Sequence, residues 1–177
     1  KKFPQPITEM EFSDKRVNVK HVDGRYFLKT TENKYDLILV GASNPSDIRT
    51  NRYFTEEFFY LAQNRLTDEG ILVISLPGCL THITEELRNL NVSIFRTLEI
   101  VFSYVRPFPG EGRNLFLASN SEGIQKMDIA ILVNRLKERN LDADLAIPWH
   151  IERMLHPGWT EWFIRFAEEG TLRTNHD

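Results

Sequence analysis

The chain has 177 residues, of which 41% are hydrophobic and 27% are charged, and its formal net charge is -3. These values are ordinary for one globular domain, and neither the net charge nor any cluster of Lys and Arg supports nucleic-acid binding. The single cysteine, Cys79, excludes an internal disulfide, and no apolar run approaches the ~20 residues of a membrane helix. We therefore expect a cytoplasmic chain without a nucleic-acid partner.

The first third of the chain predicts an arm, a strand and a short helix. Residues 1–13 are polar, contain two prolines and show no regular hydrophobic period. Residues 16–22 alternate valines imperfectly, which predicts a strand near a sheet edge. Residues 25–31 then predict a short helix. Its inward side chains are expected to be Tyr26, Phe27 and Leu28.

Two short aliphatic runs with a helical pattern between them organise the chain. The runs are residues 37–40 and 71–74, and both are unbroken, which is typical of parallel strands buried on both faces. The intervening helix is predicted to begin at Thr55, whose hydroxyl suits an N-cap, and to close at residues 68–70. Ligands of such sheets bind outside the carboxyl ends of the strands, so residues 41–55 are the expected place for a site.

The second half predicts a long helix, a hairpin and further helices. Aliphatic residues at intervals of three and four predict a helix from Thr84 to about Phe102. Two strand-like segments around a Pro- and Gly-rich tip predict an antiparallel hairpin at one sheet edge. The expected ranges are 104–108 and 114–118 for the hairpin strands, 127–141 for one helix, 146–166 for one or two more, and 170–177 for a polar tail.

Other residue patterns give no strong site signature. The five histidines are scattered without metal-ligand spacing, so no metal site is expected, and Ser75 lacks the flanking glycines of a nucleophile elbow. Cys79 near His82 fits a thiolate pair, although a small residue after a turn explains it more simply. Five aromatic residues near the C-terminus fit either a binding surface or, as is more usual for an aromatic stripe on a helix, the core or a subunit contact. They are Trp149, Trp159, Trp162, Phe163 and Phe166.

Four motifs follow one another in the first half of the chain: DGRYFL from Asp23, KYDLILV from Lys34, YFTEEFF from Tyr53 and GILV from Gly70. In this order they resemble the polyamine aminopropyltransferase family, the spermidine and spermine synthases. Residues 75–78, 90–98 and 114–119 are more similar to bacterial spermidine-synthase-like proteins in which such a domain follows a membrane segment. The parent protein is therefore expected to be membrane-associated.

The resemblance implies a Rossmann-like methyltransferase fold that binds decarboxylated S-adenosylmethionine and transfers its aminopropyl group to an amine. Asp23 matches the family aspartate that hydrogen-bonds the adenine amino group, with the Gly24 backbone beside it. The alternative reading is that Asp23 and Gly24 form a turn between strand and helix. Gly41 and Asn44 complete the expected cofactor-binding set.

One departure from the family removes the expected catalytic base. The family carries Asp-x-x-Asp-Pro where this chain has Gly-Ala-Ser-Asn-Pro from Gly41. An alkyl amine has a pKa of about 10.4, so its attack requires a positioned base, which neither Gly41 nor Asn44 supplies. Asp47, Tyr53 and Glu56 lie nearby, but a loop aspartate and a first-turn glutamate are more often solvated or capping than catalytic. We therefore expect no catalytic residue.

A second departure concerns the cofactor-binding half. The glycine-rich first strand-loop-helix and the acidic end of the second strand have no counterpart, so the chain is either the C-terminal part of a longer protein or a rebuilt sheet. We expect an α/β, Rossmann-like methyltransferase-type three-layer sandwich that lacks the first two strands and carries a C-terminal antiparallel hairpin and extra helices. The expected domains are residues 1–122, the partial Rossmann-like domain, and 123–177, a helical extension packed on it.

Three classes of function remain open. The chain is a transferase-family domain, a catalytically silent nucleoside-binding or regulatory domain, or an interaction module of a larger protein. No cofactor is expected to be required, and decarboxylated S-adenosylmethionine or methylthioadenosine is the expected ligand, with a polyamine as second small molecule. We also expect a homo-oligomer or association with the remainder of a longer polypeptide.

Overall fold

The computed structural model describes residues 13–42, 44–81, 83–140 and 148–177, with residues 148–151 described by their backbone only. It has two compact units, Lys1–Thr31 and Glu32–Asp177. The predicted arm at residues 1–13 lies almost wholly outside the described residues. In chain order the elements are α1 (Gly24–Thr30), β1 (Tyr35–Val40), α2 (Ile48–Asn51), α3 (Glu56–Gln63), β2 (Leu66–Gly78), α4 (Glu85–Val101), β3 (Tyr104–Phe108), β4 (Gly112–Ser119), a 3₁₀ turn (Glu122–Ile124), α5 (Ile129–Glu138), α6 (Pro148–Leu155) and α7 (Pro157–Glu168).

The first unit contains α1 and the segment before it. The helix prediction is confirmed, but only Leu28 is buried, and Tyr26 is 62% exposed, so its inward placement is wrong. The strand prediction at residues 16–22 is also wrong, because these residues form no strand and their valines are exposed. A strand requires a neighbour for its backbone groups, and none of the described strands pairs with this segment.

The second unit contains a four-stranded mixed sheet in the order β1-β2-β4-β3. β1 and β2 are parallel, with Leu37 opposite Ile71 and Val40 opposite Ile74. β4 is antiparallel to both β2 and β3. The predicted βαβ unit and the hairpin at one sheet edge are therefore confirmed.

The burial of β1 differs from the prediction. Leu37 and Leu39 are 57% and 68% exposed, whereas Val40 on the opposite face is buried. β1 is an edge strand of the described sheet, and only one of its faces is covered. The unbroken aliphatic run thus does not mean burial on both faces here.

The core lies between one face of the sheet and helices α3, α4 and α7. Alternate residues of β2 are fully buried on this face, as is Phe116 of β4. Phe163 of α7 is packed edge-on against Phe95 of α4 and Phe116, with ring centroids 5.3 and 5.4 Å apart. This aromatic contact attaches the C-terminal helix to the sheet.

The end of α3 and the start of β2 also differ from the prediction. α3 was expected to close at residues 68–70, but it ends earlier, at Gln63. β2 already begins at Leu66, so residues 68–70 belong to the strand. The backbone N–H of Tyr35 donates to the Arg65 carbonyl at 2.8 Å, and Thr67 Oγ1 donates to Asp36 Oδ1 at 2.9 Å. These contacts with β1 draw the polar residues into an irregular extension of the strand, where the register shifts.

The remaining helices follow the predictions closely. Thr55 and Thr84 cap α3 and α4 through their side-chain oxygens, which accept from Phe58 N and Leu87 N. α5 lies within the predicted range, and α6 and α7 are the two helices expected near the end. None of the described helices combines the length and apolar character needed to cross a bilayer.

Candidate functional site

The carboxyl ends of the parallel strands define the candidate site. β1 ends at Val40 opposite Ile74, whereas β2 continues to Gly78, which pairs with Gly112 of β4. The edge therefore has a loop on one side, residues 41–55, and the β3–β4 hairpin tip on the other. Ligands of parallel sheets bind at such an edge.

The loop places Gly41 and Asn44 at the surface. Both are exposed, and a Cβ atom added at Gly41 would meet no atom within 4 Å. The Asn44 carbonyl accepts from Ser46 N at 2.7 Å, which turns the chain towards α2. The position thus has room for a carboxylate side chain, but the sequence supplies none.

Asp23 and Gly24, the other half of the predicted site, belong to the first unit. Asp23 caps α1, because its Oδ1 accepts from Tyr26 N at 3.0 Å. This contact makes Asp23 a helix cap, whereas the strand that the alternative reading placed before it is absent from described residues 13–23. Adenine recognition by Asp23 stays a prediction.

Asp47 is a helix cap in this structure. Its Oδ1 accepts from Thr50 N at 2.8 Å, and Thr50 Oγ1 interacts with the Asp47 backbone in a capping box. The Thr50 amide lowers the pKa of the Asp47 carboxyl below its ordinary value. A carboxylate with a lowered pKa is a weaker base, so Asp47 is poorly suited to remove a proton from an amine.

Tyr53 and Glu56 also have structural partners. The Tyr53 hydroxyl accepts from Arg52 Nη2 at 3.1 Å, and the Arg52 guanidinium lies 5.0 Å from the Tyr53 ring centroid. Glu56 Oε2 is 3.2 Å from His176 Nδ1. Both side chains are thus engaged with neighbouring groups, and the expectation that neither acts as the base stays a prediction.

The last eight residues, which we call the C-terminal strap (170–177), fold back onto the start of α3. Asn175 forms the centre of this contact: its carbonyl accepts from Glu56 N at 2.9 Å, and its Nδ2 donates to Phe54 O at 3.0 Å. Asp177 Oδ1 accepts from Thr55 Oγ1 at 3.0 Å. The strap thus fixes the end of the loop that begins at Gly41.

We expect Asn175→Ala to lower the free energy of unfolding by about 1–3 kcal/mol, because Phe54 O and Asn51 Oδ1 both lose their amide donor. Urea unfolding followed by circular dichroism measures this change. Leu172→Ala is the matched control, since Leu172 is 81% exposed in the same strap and its truncation should change stability by less than about 0.5 kcal/mol. Equal effects of the two variants would show that the strap does not depend on the Asn175 amide.

A cavity of about 490 Å³ lies on the other side of the edge, between the hairpin tip and helices α6 and α7. We call it the hairpin cleft. Glu111 borders the cleft. Its Oε2 accepts from Leu80 N at 2.9 Å, and this bond connects the hairpin tip to the segment that follows β2. Residues that line the cleft include Leu80, Phe108, Glu111, Arg113, Arg153 and Trp159.

A buried amide pair fixes the floor of this edge. Asn114 Nδ2 donates to Asn91 Oδ1 at 2.9 Å, and Asn91 Nδ2 donates to the Pro77 carbonyl at 3.0 Å. Asn114 Oδ1 in turn accepts from Gly110 N at 3.1 Å. The pair therefore connects α4 with the end of β2 and with the hairpin tip.

The other sequence candidates were a thiolate pair at Cys79, a metal site and an aromatic binding surface. Cys79 Sγ lies 3.5 Å from Thr81 Oγ1 and 3.7 Å from Glu111 Oε1, whereas His82 lies outside the described residues, so the thiolate pair stays a prediction. Among the described residues no three His, Cys, Asp or Glu side chains are grouped closely enough to hold a metal ion. Phe163 belongs to the core rather than to a binding surface.

Sequence reasoning missed the strap and the hairpin cleft. The only available signal for the cleft was the pair of glycines around Glu111, which indicates a hairpin tip and nothing about a cavity. The aromatic residues near the C-terminus indicated the helices that line the cleft, but they did not indicate that these helices pack beside the hairpin.

Comparison with known proteins identifies the fold and the family. The chain superposes on a spermidine synthase crystallised with the transition-state analogue AdoDATO, with a TM-score of 0.64, 18% identity, and coverage of 90% of this chain and 54% of that one. It also superposes on human methyltransferase-like protein 13 in complex with SAH, with a TM-score of 0.51, 17% identity, and coverage of 93% and 66%. The architecture is therefore that of the Rossmann-like methyltransferases.

The family follows from sequence. A profile of the spermine/spermidine synthase domain matches residues 1–128, so the chain belongs to this family. A polyamine aminopropyltransferase of Prochlorococcus marinus (strain MIT 9312) is 32% identical over 117 residues, which are 62% of this chain and 39% of the relative. The chain thus spans about two fifths of this relative and about half of the spermidine synthase structure.

Proposed function

We propose that this chain is an aminopropyltransferase-like domain that binds a nucleoside ligand and does not itself transfer an aminopropyl group. The observation that carries the proposal is the missing base: Gly41 and Asn44 stand where the family motif has carboxylates, and Asp47 is held in a helix cap. The activity of the family is the transfer of an aminopropyl group from decarboxylated S-adenosylmethionine to a polyamine in polyamine biosynthesis. In this proposal that activity requires the intact site of a longer parent protein.

Asp23 carries the nucleoside part of the proposal. A carboxylate accepts well from an exocyclic N–H, and a glycine, here Gly24, has no side chain to keep a flat base from the main chain. One recognised edge without ribose or sulfonium anchors gives only poor affinity. Methylthioadenosine is therefore the expected ligand, with weak binding.

We expect Asp23→Asn to weaken methylthioadenosine binding by about tenfold, because a charge-assisted hydrogen bond is lost. Asn is also a good N-cap, so α1 should remain folded. NMR titration of the full chain measures the affinity, with Asp68→Asn as matched control, since Asp68 is an exposed aspartate outside the proposed site. Equal binding by parent and Asp23→Asn, or shifts confined to residues 149–166, would overturn the adenine assignment.

The exposed face of β1 favours a second candidate, an interaction domain. β1 is an edge strand of the described sheet, and its Leu37 and Leu39 are exposed, so this edge is suited to pairing with another chain. Analytical ultracentrifugation distinguishes this candidate: association that rises with concentration and is lost in Leu39→Lys supports it, and a monomer at all concentrations removes self-association.

A further inference from the structure

The hairpin cleft has the size and the wall chemistry of a small-molecule site. Its volume of about 490 Å³ falls within the range of ~300–1,000 Å³ that is typical of ligand pockets. Phe108, Leu115, Met154 and Trp159 supply an apolar lining. Such a lining suits a flat or elongated apolar group, and Trp159 contributes an aromatic ring to it.

The charged side chains that line the cleft differ in whether they already have a hydrogen-bond partner. Glu111 accepts from Leu80 N, so its carboxylate already has a backbone partner. Among the described residues, Arg113 donates to the neutral Ser75 Oγ at 3.4 Å and to no other group, and Arg153 has no ion-pair or hydrogen-bond partner. Two guanidinium groups therefore border the cleft without a carboxylate partner in the described part of the chain.

This charge pattern disfavours a polyamine in the cleft and favours an anion. A guanidinium group matches a carboxylate in shape and charge, and it can donate two parallel hydrogen bonds to it. A polycation would meet two like charges and one occupied carboxylate. The charge of the cleft is thus opposite to what a cationic acceptor requires.

Hydrogen bonds to α4 and α7 fix the hairpin segments that form the walls of the cleft. Gly110 at the hairpin tip donates to Asn114, and Asn114 is bonded to Asn91 of α4. On the far side, Thr160 Oγ1 donates to the Pro107 carbonyl at 3.4 Å, which ties α7 to β3. A cavity whose walls are fixed before a ligand arrives loses less entropy on binding.

We propose that the hairpin cleft binds a small organic carboxylate with an apolar or aromatic body, and that Arg113 and Arg153 hold the carboxylate while Trp159 contacts the body. The site takes no residue from the first unit, so this inference goes beyond the nucleoside proposal and does not depend on it.

Calorimetric titration of the full chain with a matched set of probes tests the proposal. The probes are 3-phenylpropionate, its neutral amide, the cation 3-phenylpropylamine, propionate and putrescine. We expect saturable binding of 3-phenylpropionate at millimolar concentration, at least about tenfold weaker binding of the amide and of propionate, and none of the two amines. Binding of 3-phenylpropylamine as tight as that of 3-phenylpropionate, or no saturable binding of any probe, overturns the proposal.

Variants locate the binding. Arg113→Gln and Arg153→Gln should each weaken 3-phenylpropionate binding about tenfold, and Trp159→Leu should weaken it more than it weakens propionate binding. Arg165→Gln is the matched control, because Arg165 is exposed on α7 and does not line the cleft. Circular dichroism confirms that each variant is folded. An Arg165→Gln effect as large as that of Arg153→Gln would show nonspecific charge attraction and overturn the assignment.

Discussion

The purified chain is expected to transfer an aminopropyl group to putrescine about 10²–10⁴-fold more slowly than an enzyme with a positioned general base. The amine arrives protonated, and the residues at the two motif positions, Gly41 and Asn44, carry no carboxylate. Asp47 cannot substitute for them efficiently, because its carboxylate accepts from Thr50 N and has a lowered pKa. The measurement is methylthioadenosine formation from decarboxylated S-adenosylmethionine, followed by mass spectrometry.

The matched variant restores the two carboxylates. Gly41→Asp with Asn44→Asp should be tolerated, because Gly41 has open space around an added Cβ atom and Asn44 is exposed. A gain in rate for this double variant would show that the missing base limits the parent chain. Robust turnover by the parent chain that disappears in Asp47→Asn or Glu56→Gln would show instead that the base lies at one of these residues.

Phe163→Ala is expected to lower the free energy of unfolding by about 3–5 kcal/mol. The Phe163 ring is fully buried and meets Phe95 and Phe116 edge-on, so its removal leaves a cavity between α4, α7 and β4. Edge-to-face pairs add to the loss beyond the buried area. Urea unfolding followed by circular dichroism and by tryptophan fluorescence measures the change and tests whether the transition is two-state.

Ile164→Ala is the control for this variant, because Ile164 is the next residue of α7 and is exposed. Its effect should stay below about 1 kcal/mol. A small effect of Phe163→Ala would mean that α7 is not held by this aromatic contact. Because all three tryptophans lie in residues 149–162, a fluorescence transition separate from the circular-dichroism transition would show that residues 123–177 unfold independently, against the prediction that they pack on the same domain.

The sequence predicted the parts of the fold that depend on local pattern. Thr55 and Thr84 are N-caps followed by acidic residues and an amphipathic stripe, so both helix starts could be located. The hairpin was predictable because Pro and Gly separate two strand-like runs. The adjacent parallel pairing of β1 and β2 followed from the helical crossover between them.

Features that depend on distant contacts could not be predicted. The polar stretch 67–70 looks like a turn in isolation, and only the contacts of Arg65 with Tyr35 and of Thr67 with Asp36 show that β2 begins before it. The strap was read as a polar tail because its stabilising partners, such as Thr97, lie more than 70 residues away. The hairpin cleft is likewise formed by three segments, at Leu80, at residues 108–115 and at residues 153–159, and no local pattern indicates that they meet.

The amide pair at the end of β2 has a consequence for how this chain can diverge. A Cβ atom added at Gly78 would lie 2.7 Å from Asn114 N, and Asn114 in turn requires Asn91 as acceptor. Replacing either asparagine alone removes the partner of one buried polar atom, Asn91 Oδ1 or Asn114 Nδ2, whereas replacing both by apolar groups can be nearly neutral. Positions 91 and 114 should therefore covary among homologous sequences, with glycine retained at position 78 wherever the amide pair is kept.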